Sequence, residues 1–228
     1  MKKNFECVER LPANYHYAGH NLWLKSVIDR ILAVIILIGT SPVLVLILAA
    51  MLGEGIFDQR ARGPLLVSDR RLSQGRTFEM FKLRTFFLQQ DAKDAAREGT
   101  HDIFNGTNVT RVGAWLRRFY IDEVAQLVNI LIGDMSFVGP RPVPQSMYDR
   151  VLKSGYQNKR LLPAGLCGPV QALKGRWKEY GSYLDADEWL ITAYETRSPL
   201  GVVVLDISIM RWTLLKVLEG DGLESPKR

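Results

Sequence analysis

A long apolar run constrains this chain more than any other feature. Residues 31–53, ILAVIILIGTSPVLVLILAAMLG, carry no charge. A helix of this length just crosses a bilayer core of about 30 Å, at about 1.5 Å per residue. Pro42 lies near the middle, where it removes a backbone donor and clashes with the preceding turn. The sequence predicts a membrane helix broken at Ser41 and Pro42, with the hydroxyls of Thr40 and Ser41 bonded to nearby carbonyls.

Two membrane topologies fit this segment: a kinked single span, or a re-entrant hairpin that returns to the same face. An excess of basic residues on one flank would orient a spanning helix, but here basic residues stand on both flanks. They are Lys2, Lys3, Arg10, Lys25 and Arg30 before the run, and Arg60, Arg62, Arg70, Arg71 and Arg76 after it. Physical considerations therefore leave both topologies open. A cleaved signal peptide is not expected, because the run starts too late and is too long.

Composition narrows the class of protein. The 228 residues suffice for one sizeable domain with appendages, and 24% charged residues exclude a disordered chain. Thirty basic residues against 24 acidic ones give a net charge of +6, which suits an anionic partner. No nucleic-acid motif accompanies this charge, so nucleic acid is not an expected partner. Cys7 and Cys167 form no CxxC pair, so a thiolate metal site is not indicated.

The remaining patterns predict a helix-dominated α+β fold. Two short apolar runs flank a turn with Gly75, which is typical of a small β-hairpin. Thr110 is placed to cap a helix, and a second helical pattern covers residues 121–131 before Gly133. Residues 205–220 form an apolar helix with basic flanks, which fits either an interfacial amphipathic helix or a core helix. We expect a compact helical catalytic domain with interfacial helices.

Two carboxylates are adjacent where the second helical pattern starts, at Asp122 and Glu123. Neighbouring residues on a helix point about 100° apart, so this pair cannot flank a glycosidic bond. The helix dipole stabilises an anionic aspartate in a first turn, which predicts a lowered pKa and an ionised nucleophile at neutral pH. Acidic residues are also common in first turns for dipole stabilisation alone. The pair by itself therefore leaves catalytic and structural interpretations open.

Basic residues favour phosphoryl chemistry near this pair. Arg141 stands between two prolines, which fix the backbone so that its guanidinium can be presented rigidly to a phosphate. Lys82 and Arg84 are two residues apart on a predicted strand and would project from one face. Positioned cations and magnesium supply most of the catalysis in phosphoryl transfer. Taken singly, each basic residue also fits a solvated surface charge.

Seven motifs in one order resemble the bacterial sugar transferases, the monotopic phosphoglycosyl transferases that act on polyprenyl phosphate. The resemblance covers residues 25–176 and is looser beyond them. The motifs are Lys25-Ser26-Val27-Ile28-Asp29-Arg30, Ser41-Pro42 in the apolar run, Phe81-Lys82-Leu83-Arg84-Thr85, Thr110-Arg111-Val112-Gly113, Ile121-Asp122-Glu123-Val124, Gly133-Asp134-Met135-Ser136 and Val138-Gly139-Pro140-Arg141-Pro142.

The resemblance implies a reaction and a location. It implies transfer of a sugar 1-phosphate from a UDP-sugar to polyprenyl (undecaprenyl) phosphate, releasing UMP. This is the first membrane step of exopolysaccharide, capsule, O-antigen or glycoprotein glycan assembly. It also implies a re-entrant helix broken at Ser41-Pro42 and a catalytic domain on the cytoplasmic face of the bacterial inner membrane. Expected partners are the UDP-sugar, polyprenyl phosphate, membrane lipid and a second copy of the chain.

The resemblance also assigns roles to residues. Asp122 matches the nucleophile that forms a phosphosugar intermediate, and Glu123 matches the acid that binds Mg2+. The substrate-binding residues implied are Lys82, Arg84, Arg111, Arg141 and Arg176.

The chain departs from the family pattern at several positions. Tyr120 stands where Ser or Thr is usual, Ala125 replaces a proline, and the 163–176 segment has an extra residue before Arg176. We expect four segments along the chain. They are an N-terminal interfacial segment (1–30), the re-entrant helix (31–53), the catalytic domain (54–176) and a C-terminal amphipathic region (177–228). The alternative interpretation is a non-catalytic, membrane-anchored module that binds nucleotide or anionic lipid.

Overall fold

The structure, a computed structural model, describes residues 19, 22–88, 108–173 and 183–218. Helices dominate it, which confirms the predicted α+β class. The α-helices are α1 (Trp23–Phe57), α2 (Arg111–Arg118), α3 (Gln126–Ile132), α4 (Gln145–Lys153), α5 (Asn158–Leu161), α6 (Pro169–Ala172), α7 (Tyr183–Glu195) and α8 (Pro199–Leu218). The strands are β1 (Leu66–Ser73), β2 (Arg76–Leu83), β3 (Met135–Val138) and β4 (Ala164–Cys167), and 3-10 helices cover Gln59–Ala61 and Ile121–Ala125.

Two compact units interleave along the chain. Unit 1 consists of Met1–Arg30, Arg71–Phe78 and Ile132–Arg228. Unit 2 consists of Ile31–Arg70 and Glu79–Leu131. Helix α1 and the hairpin strands contribute residues to both units.

The apolar run lies within α1, a helix of 35 residues that is longer at both ends than the predicted 31–53. Thr40 Oγ1 donates to the carbonyl of Ile36 and Ser41 Oγ to that of Ile38, both at 2.7 Å, as predicted. The helix nevertheless runs on through Ser41 and Pro42, so the predicted interruption of the helix is absent. A proline deletes one donor only, and a helix can continue past it. Within the described residues, α1 alone is long and apolar enough to cross a membrane.

The core of unit 2 joins the last third of α1 to the segment around the acidic pair. Ile47, Met51, Leu83 and Leu116 are buried together. Partly buried side chains pack around this cluster, namely Leu44, Leu48, Leu65, Val112, Ile121 and Val124. This part of α1 is therefore an integral part of the unit, and removing it would expose the cluster.

The hairpin of β1 and β2 forms where the sequence predicts it. Gln74 and Gly75 both have positive φ, at 50° and 75°. Two successive residues in this conformation make the tight turn that matches the twist of paired strands. The prediction that Gly75 occupies the turn is confirmed.

Unit 2 also contains the capped helix α2. Thr110 Oγ1 accepts a hydrogen bond from the N–H of Gly113 at 2.9 Å, which confirms the predicted cap. The carboxylate of Glu54 accepts from the N–H groups of Arg111 and Val112 at 2.6 and 3.1 Å. These bonds satisfy three of the N–H donors that a helix N-terminus leaves unpaired. The start of α2 is thereby tied to the end of α1.

Unit 1 is built around a parallel pair of strands, β3 and β4, in which Met135 pairs with Ala164 and Val138 with Cys167. Helix α8 packs on both strands, and α6 packs on α7 and α8. The predicted C-terminal helix is therefore present, although it begins at Pro199 rather than Leu205.

A buried ionic cluster joins four elements of unit 1. Lys25 on α1 forms ion pairs with Asp29, at 3.3 Å, and with Asp206 of α8. Asp29 accepts a hydrogen bond from Ser136 of β3 at 2.6 Å, and Asp206 accepts one from Tyr194 of α7 at 2.6 Å. The start of α1 is thus held inside this unit by charge.

Candidate active site

The acidic pair lies on the 3-10 helix Ile121–Ala125, between α2 and α3. Tyr120 precedes it in the left-handed conformation, with φ 56° and ψ 22°, and makes no side-chain cap. This conformation is uncommon for a bulky residue and costs about 1 kcal/mol or more. The backbone is therefore strained two residues before Asp122.

Lys82 on β2 is the cation placed beside the acidic pair. Its Nζ lies 3.7 Å from Oε1 of Glu123. The two side chains are 26% and 13% exposed, so the pair is partly shielded from water. The structure therefore brings together three of the sequence-predicted residues, Lys82, Asp122 and Glu123, in one unit.

Burial raises the pKa of Asp122 above its usual value, and the Glu123 carboxylate raises it further. Lys82 and Arg117 oppose this rise in the pKa. The lowered pKa predicted from the helix dipole is therefore wrong. The physical reason is that the pair lies on a partly buried helix of only five residues, where loss of hydration outweighs a small dipole.

Arg84 lies just after β2, and its side chain is buried against backbone carbonyls. Its guanidinium donates to the carbonyls of Ala61, Pro64 and Phe86 at 2.5, 2.7 and 2.9 Å. Burial lowers the pKa of Arg84 below its usual value, and the charge of the Glu54 carboxylate offsets only part of this decrease. These contacts give Arg84 a structural role in this unit, and it does not share an open face with Lys82.

Two arginines of α2 stand at opposite ends of that helix. Arg111 occupies the first turn and is exposed, with its N–H bonded to Glu54. Arg117 lies in the last turn and lowers the pKa of Asp122 through its charge. Sequence reasoning selected Arg111 and passed over Arg117. The available signal was that Arg117 stands five residues before Asp122 in a helix directly followed by the acidic turn.

Asn129 is a second residue that sequence reasoning missed. It is fully buried in α3, where its Nδ2 donates to the carbonyl of Glu79 at 2.8 Å and its Oδ1 accepts from the N–H of Phe81 at 3.0 Å. The amide therefore ties the strand of Lys82 to the helix that follows Glu123. The signal was an amide flanked on both sides by apolar residues, in the run Leu127-Val128-Asn129-Ile130-Leu131.

Arg141 belongs to unit 1, in the Pro-Arg-Pro loop that follows β3, and its side chain is exposed. The carbonyl of Pro140 accepts from the N–H of Gly165 at 3.0 Å, and that of Arg141 accepts from Nζ of Lys159 at 2.8 Å. The loop backbone is therefore held on both sides of Arg141. Arg176 lies outside the described residues.

The donor chemistry of the acidic pair fits magnesium. Mg2+ is usually bound by one or two carboxylates together with substrate phosphates. Asp122 and Glu123 are adjacent oxygen donors that repel each other electrostatically, and a divalent cation would relieve this repulsion. No group of three or more His, Cys, Asp or Glu suited to a metal occurs within the described residues. The pair thus suits a cation shared with a phosphate-bearing substrate rather than a closed protein site.

Comparison with known proteins identifies the class. The sequence profile of the bacterial sugar transferases matches residues 20–220. This match covers the apolar helix, the acidic pair and the Pro-Arg-Pro loop. The chain belongs to the bacterial sugar transferase family.

Several relatives are similar over part of their length. Undecaprenyl-phosphate glucose phosphotransferase of Komagataeibacter xylinus is 37% identical over 124 residues, 54% of this chain and 22% of that protein. UDP-glucose:undecaprenyl-phosphate glucose-1-phosphate transferase of Xanthomonas campestris pv. campestris is 35% identical over 150 residues, 64% of this chain and 29% of that protein. The chain therefore spans less than a third of these two relatives. The uncharacterized sugar transferase EpsL of Bacillus subtilis is 25% identical over 204 residues, 88% of this chain and 90% of that protein.

Proposed function

We propose that this protein transfers a sugar 1-phosphate from a UDP-sugar to undecaprenyl phosphate and releases UMP. The observation that carries the proposal is the partly buried Asp122 beside Glu123, with Lys82 at 3.7 Å from Glu123. The names of the Xanthomonas and Komagataeibacter relatives support it, since both describe undecaprenyl-phosphate sugar transfer. The product would be the lipid-linked starting unit of a polysaccharide or glycan.

Asp122 is the proposed nucleophile. A carboxylate oxygen attacks the phosphorus bonded to the sugar, and the bond from that phosphorus to the bridging oxygen breaks. UMP leaves with the bridging oxygen, and the sugar phosphate stays on Asp122. A phosphate oxygen of undecaprenyl phosphate then attacks the same phosphorus, which restores the carboxylate. Burial suits this role, because a poorly hydrated carboxylate is a stronger nucleophile, provided that it is ionised.

Lys82, Arg117 and Arg141 are the proposed cationic groups for the phosphates. Lys82 and Arg117 already act on Asp122 electrostatically, so they also favour its ionised, reactive form. Arg141 offers a planar guanidinium that can bond two phosphate oxygens at once. Arg111 and Arg176 remain proposed substrate contacts, whereas the carbonyl bonds of Arg84 favour a supporting role.

Glu123 is the proposed ligand of Mg2+, with Asp122 as its neighbour. When bound, the ion would neutralise charge on the diphosphate. Glu123→Gln should weaken both activity and the response to magnesium, because an amide is a poorer ligand for a hard cation. The test is a magnesium titration of UMP release with Glu79→Gln, an exposed carboxylate, as the matched control. An unchanged titration curve for Glu123→Gln would assign the metal to other groups.

The membrane topology is proposed as a re-entrant helix that bends at Pro42 and returns to the same face, with the catalytic residues on the cytoplasmic face. Near the start of α1, Asp29 bonds Ser136, and near its end Met51 packs in a cluster with Leu116. The chain from Leu116 to Ser136 contains charged residues and, after the end of α2, only the five-residue 3-10 helix Ile121–Ala125 and the seven-residue helix α3, short of the about 20 apolar residues that a span needs. These contacts support the proposal that both ends of α1 lie on one membrane face. This location would bring Asp122 close to the phosphate of a bilayer-embedded acceptor.

Release of UMP from a panel of nucleotide sugars tests the proposal. Relatives are named for glucose and, in Salmonella typhimurium, for galactose, so the panel contains UDP-glucose, UDP-galactose and their N-acetylated forms. Detergent-extracted protein with undecaprenyl phosphate and magnesium should release UMP from at least one donor. Binding of the donors without UMP release would instead support the non-catalytic nucleotide-binding module.

A further inference from the structure

We propose that Lys159, paired with Asp187, is a positioning residue that fixes the Arg141 loop for the phosphates of the donor. The inference rests on the proposed function, since it names how one of its cationic groups is held. Nζ of Lys159 donates to the carbonyl of Arg141 at 2.8 Å and to Oδ2 of Asp187 at 3.0 Å. The Lys159 and Asp187 side chains are only 5% and 2% exposed, so this lysine is not a surface charge.

Two side-by-side bonds hold the backbone around Arg141. The peptide before its Cα is fixed because the Pro140 carbonyl accepts from Gly165, and the peptide after it is fixed by Lys159. Fixing both flanking peptides fixes φ and ψ of Arg141, and the ring of Pro142 restricts the next residue. The direction of the Cα–Cβ bond of Arg141 is thereby set before any ligand binds, which limits the region that the guanidinium can reach.

Asp187 keeps the ammonium group in place. Burial raises the pKa of Asp187, and the charge of Lys159 opposes this rise. The second oxygen of Asp187, Oδ1, is buried without a hydrogen-bond partner among the described residues. Lys159 is therefore the group that compensates this carboxylate, and a lysine held on one side by a buried carboxylate has little freedom to leave the Arg141 carbonyl.

The neighbouring Glu188 provides a matched control. It is as deeply buried as Asp187 and lies next to it on α7. Its carboxylate accepts from the N–H groups of Gln157 and Asn158, so it also joins α7 to the segment of Lys159. It forms none of the bonds to Lys159 or Arg141 described above. Glu188→Gln thus perturbs the same packing and leaves the Arg141 contact in place.

The test compares Lys159→Met/Asp187→Leu, which removes both charges together, with Glu188→Gln and Arg141→Ala. The pair variant should lower kcat/KM for the UDP-sugar by up to about 100-fold, the loss that misplacing a positioned group can cause. In the Arg141→Ala background the same pair change should cause no further loss, because Lys159 acts through Arg141. The inference would be overturned if the pair variant kept the wild-type kcat/KM. It would also be overturned if the pair change lowered kcat/KM by the same factor in the Arg141→Ala background as in the wild type. Asp187→Asn, which keeps the shape of α7, replaces the pair variant if that variant does not fold.

Amide hydrogen exchange gives a readout that does not need activity. Within residues 140–144 only Arg141 and Val143 carry a backbone N–H, since the other three are prolines. Exchange of this peptide should be faster in the pair variant and unchanged in Glu188→Gln. Unchanged exchange in the pair variant would overturn the positioning role. Absence of UMP release by the wild-type protein would instead overturn the proposed function, so the two failures are distinguishable.

Discussion

At the scale of single residues, desolvation decides the chemistry of the acidic pair. Ile121 and Val124 pack against the unit 2 core on either side of the two carboxylates. Asp122 is consequently removed from water, and its pKa rises, while Lys82 keeps the site from being purely anionic. With its raised pKa, the proposed nucleophile is protonated over more of the acidic range than a free aspartate. Its reactivity therefore depends on pH and on its charged neighbours.

Asp122→Asn should abolish formation of the covalent intermediate. An amide keeps the shape of the side chain but lacks the nucleophilic oxygen, so UMP release should fall by about 10⁴-fold or more. Mass spectrometry of wild-type protein incubated with donor alone should find a phosphosugar adduct on the peptide containing Asp122. Asp149→Asn, at an exposed position on α4, should retain activity and the adduct. An adduct on Asp122→Asn would place the nucleophile elsewhere.

The acid limb of the pH profile should move in opposite directions in two variants. Activity requires ionised Asp122, so it should fall as pH falls through the raised pKa. Lys82→Met removes a charge that lowers the pKa, so the limb should move to higher pH. Glu123→Gln removes a charge that raises the pKa, so the limb should move to lower pH.

The measurement is kcat/KM for the UDP-sugar against pH, which reports groups of the free enzyme. A low residual activity in either variant does not prevent this measurement. The pH at which kcat/KM falls does not depend on the maximal value of kcat/KM. Shifts of the same sign in both variants would show that Asp122 does not control the limb.

At the scale of elements, the sequence predicted what local patterns determine. Thr110 as a cap, Gly75 in the hairpin turn and Gly133 after α3 follow from chemistry within a few residues. The bonds of Arg84 could not be predicted, because Ala61 and Pro64 stand more than 15 residues away in the sequence. The raised pKa of Asp122 likewise depends on packing from distant segments.

The topology of α1 can be tested with cysteines at its two ends. Trp23 and Phe57 are 62% and 93% exposed, so little of the protein itself covers a thiol at either position. With Cys7 and Cys167 replaced by serine, Trp23→Cys and Phe57→Cys should both resist an impermeant maleimide in intact cells. Both should react once the membrane is opened, because a re-entrant helix keeps its two ends on the cytoplasmic face. Labelling of one of the two in intact cells would establish a spanning helix.

At the scale of the whole molecule, neither compact unit is one continuous stretch of the chain. The start of α1 belongs to unit 1 and the rest of it to unit 2. The sequence motifs identified the family but not this interleaving, since periodicity carries no information on which distant segments meet. In unit 1 the start of α1 is joined to α8 by a buried ion pair, since the charge of Lys25 compensates both Asp29 and Asp206. Helix α1, attached in this way, cannot be removed without leaving the buried charge of Asp206 without its cation.

Lys25→Met should therefore destabilise the protein strongly. It leaves two buried carboxylates without their shared cation, and breaking a buried ion pair typically costs about 3–5 kcal/mol. Arg70→Met is the control, because Arg70 and its partner Glu79 are 81% and 46% exposed and such pairs contribute about 1 kcal/mol or less. Thermal unfolding in detergent should show a large drop in Tm for the first variant and little change for the second. Replacing Asp29 and Asp206 by leucine together with Lys25→Met should recover much of the loss, since no uncompensated charge then remains buried. Equal Tm values for Lys25→Met and the wild type would show that the ionic cluster does not hold α1 in place.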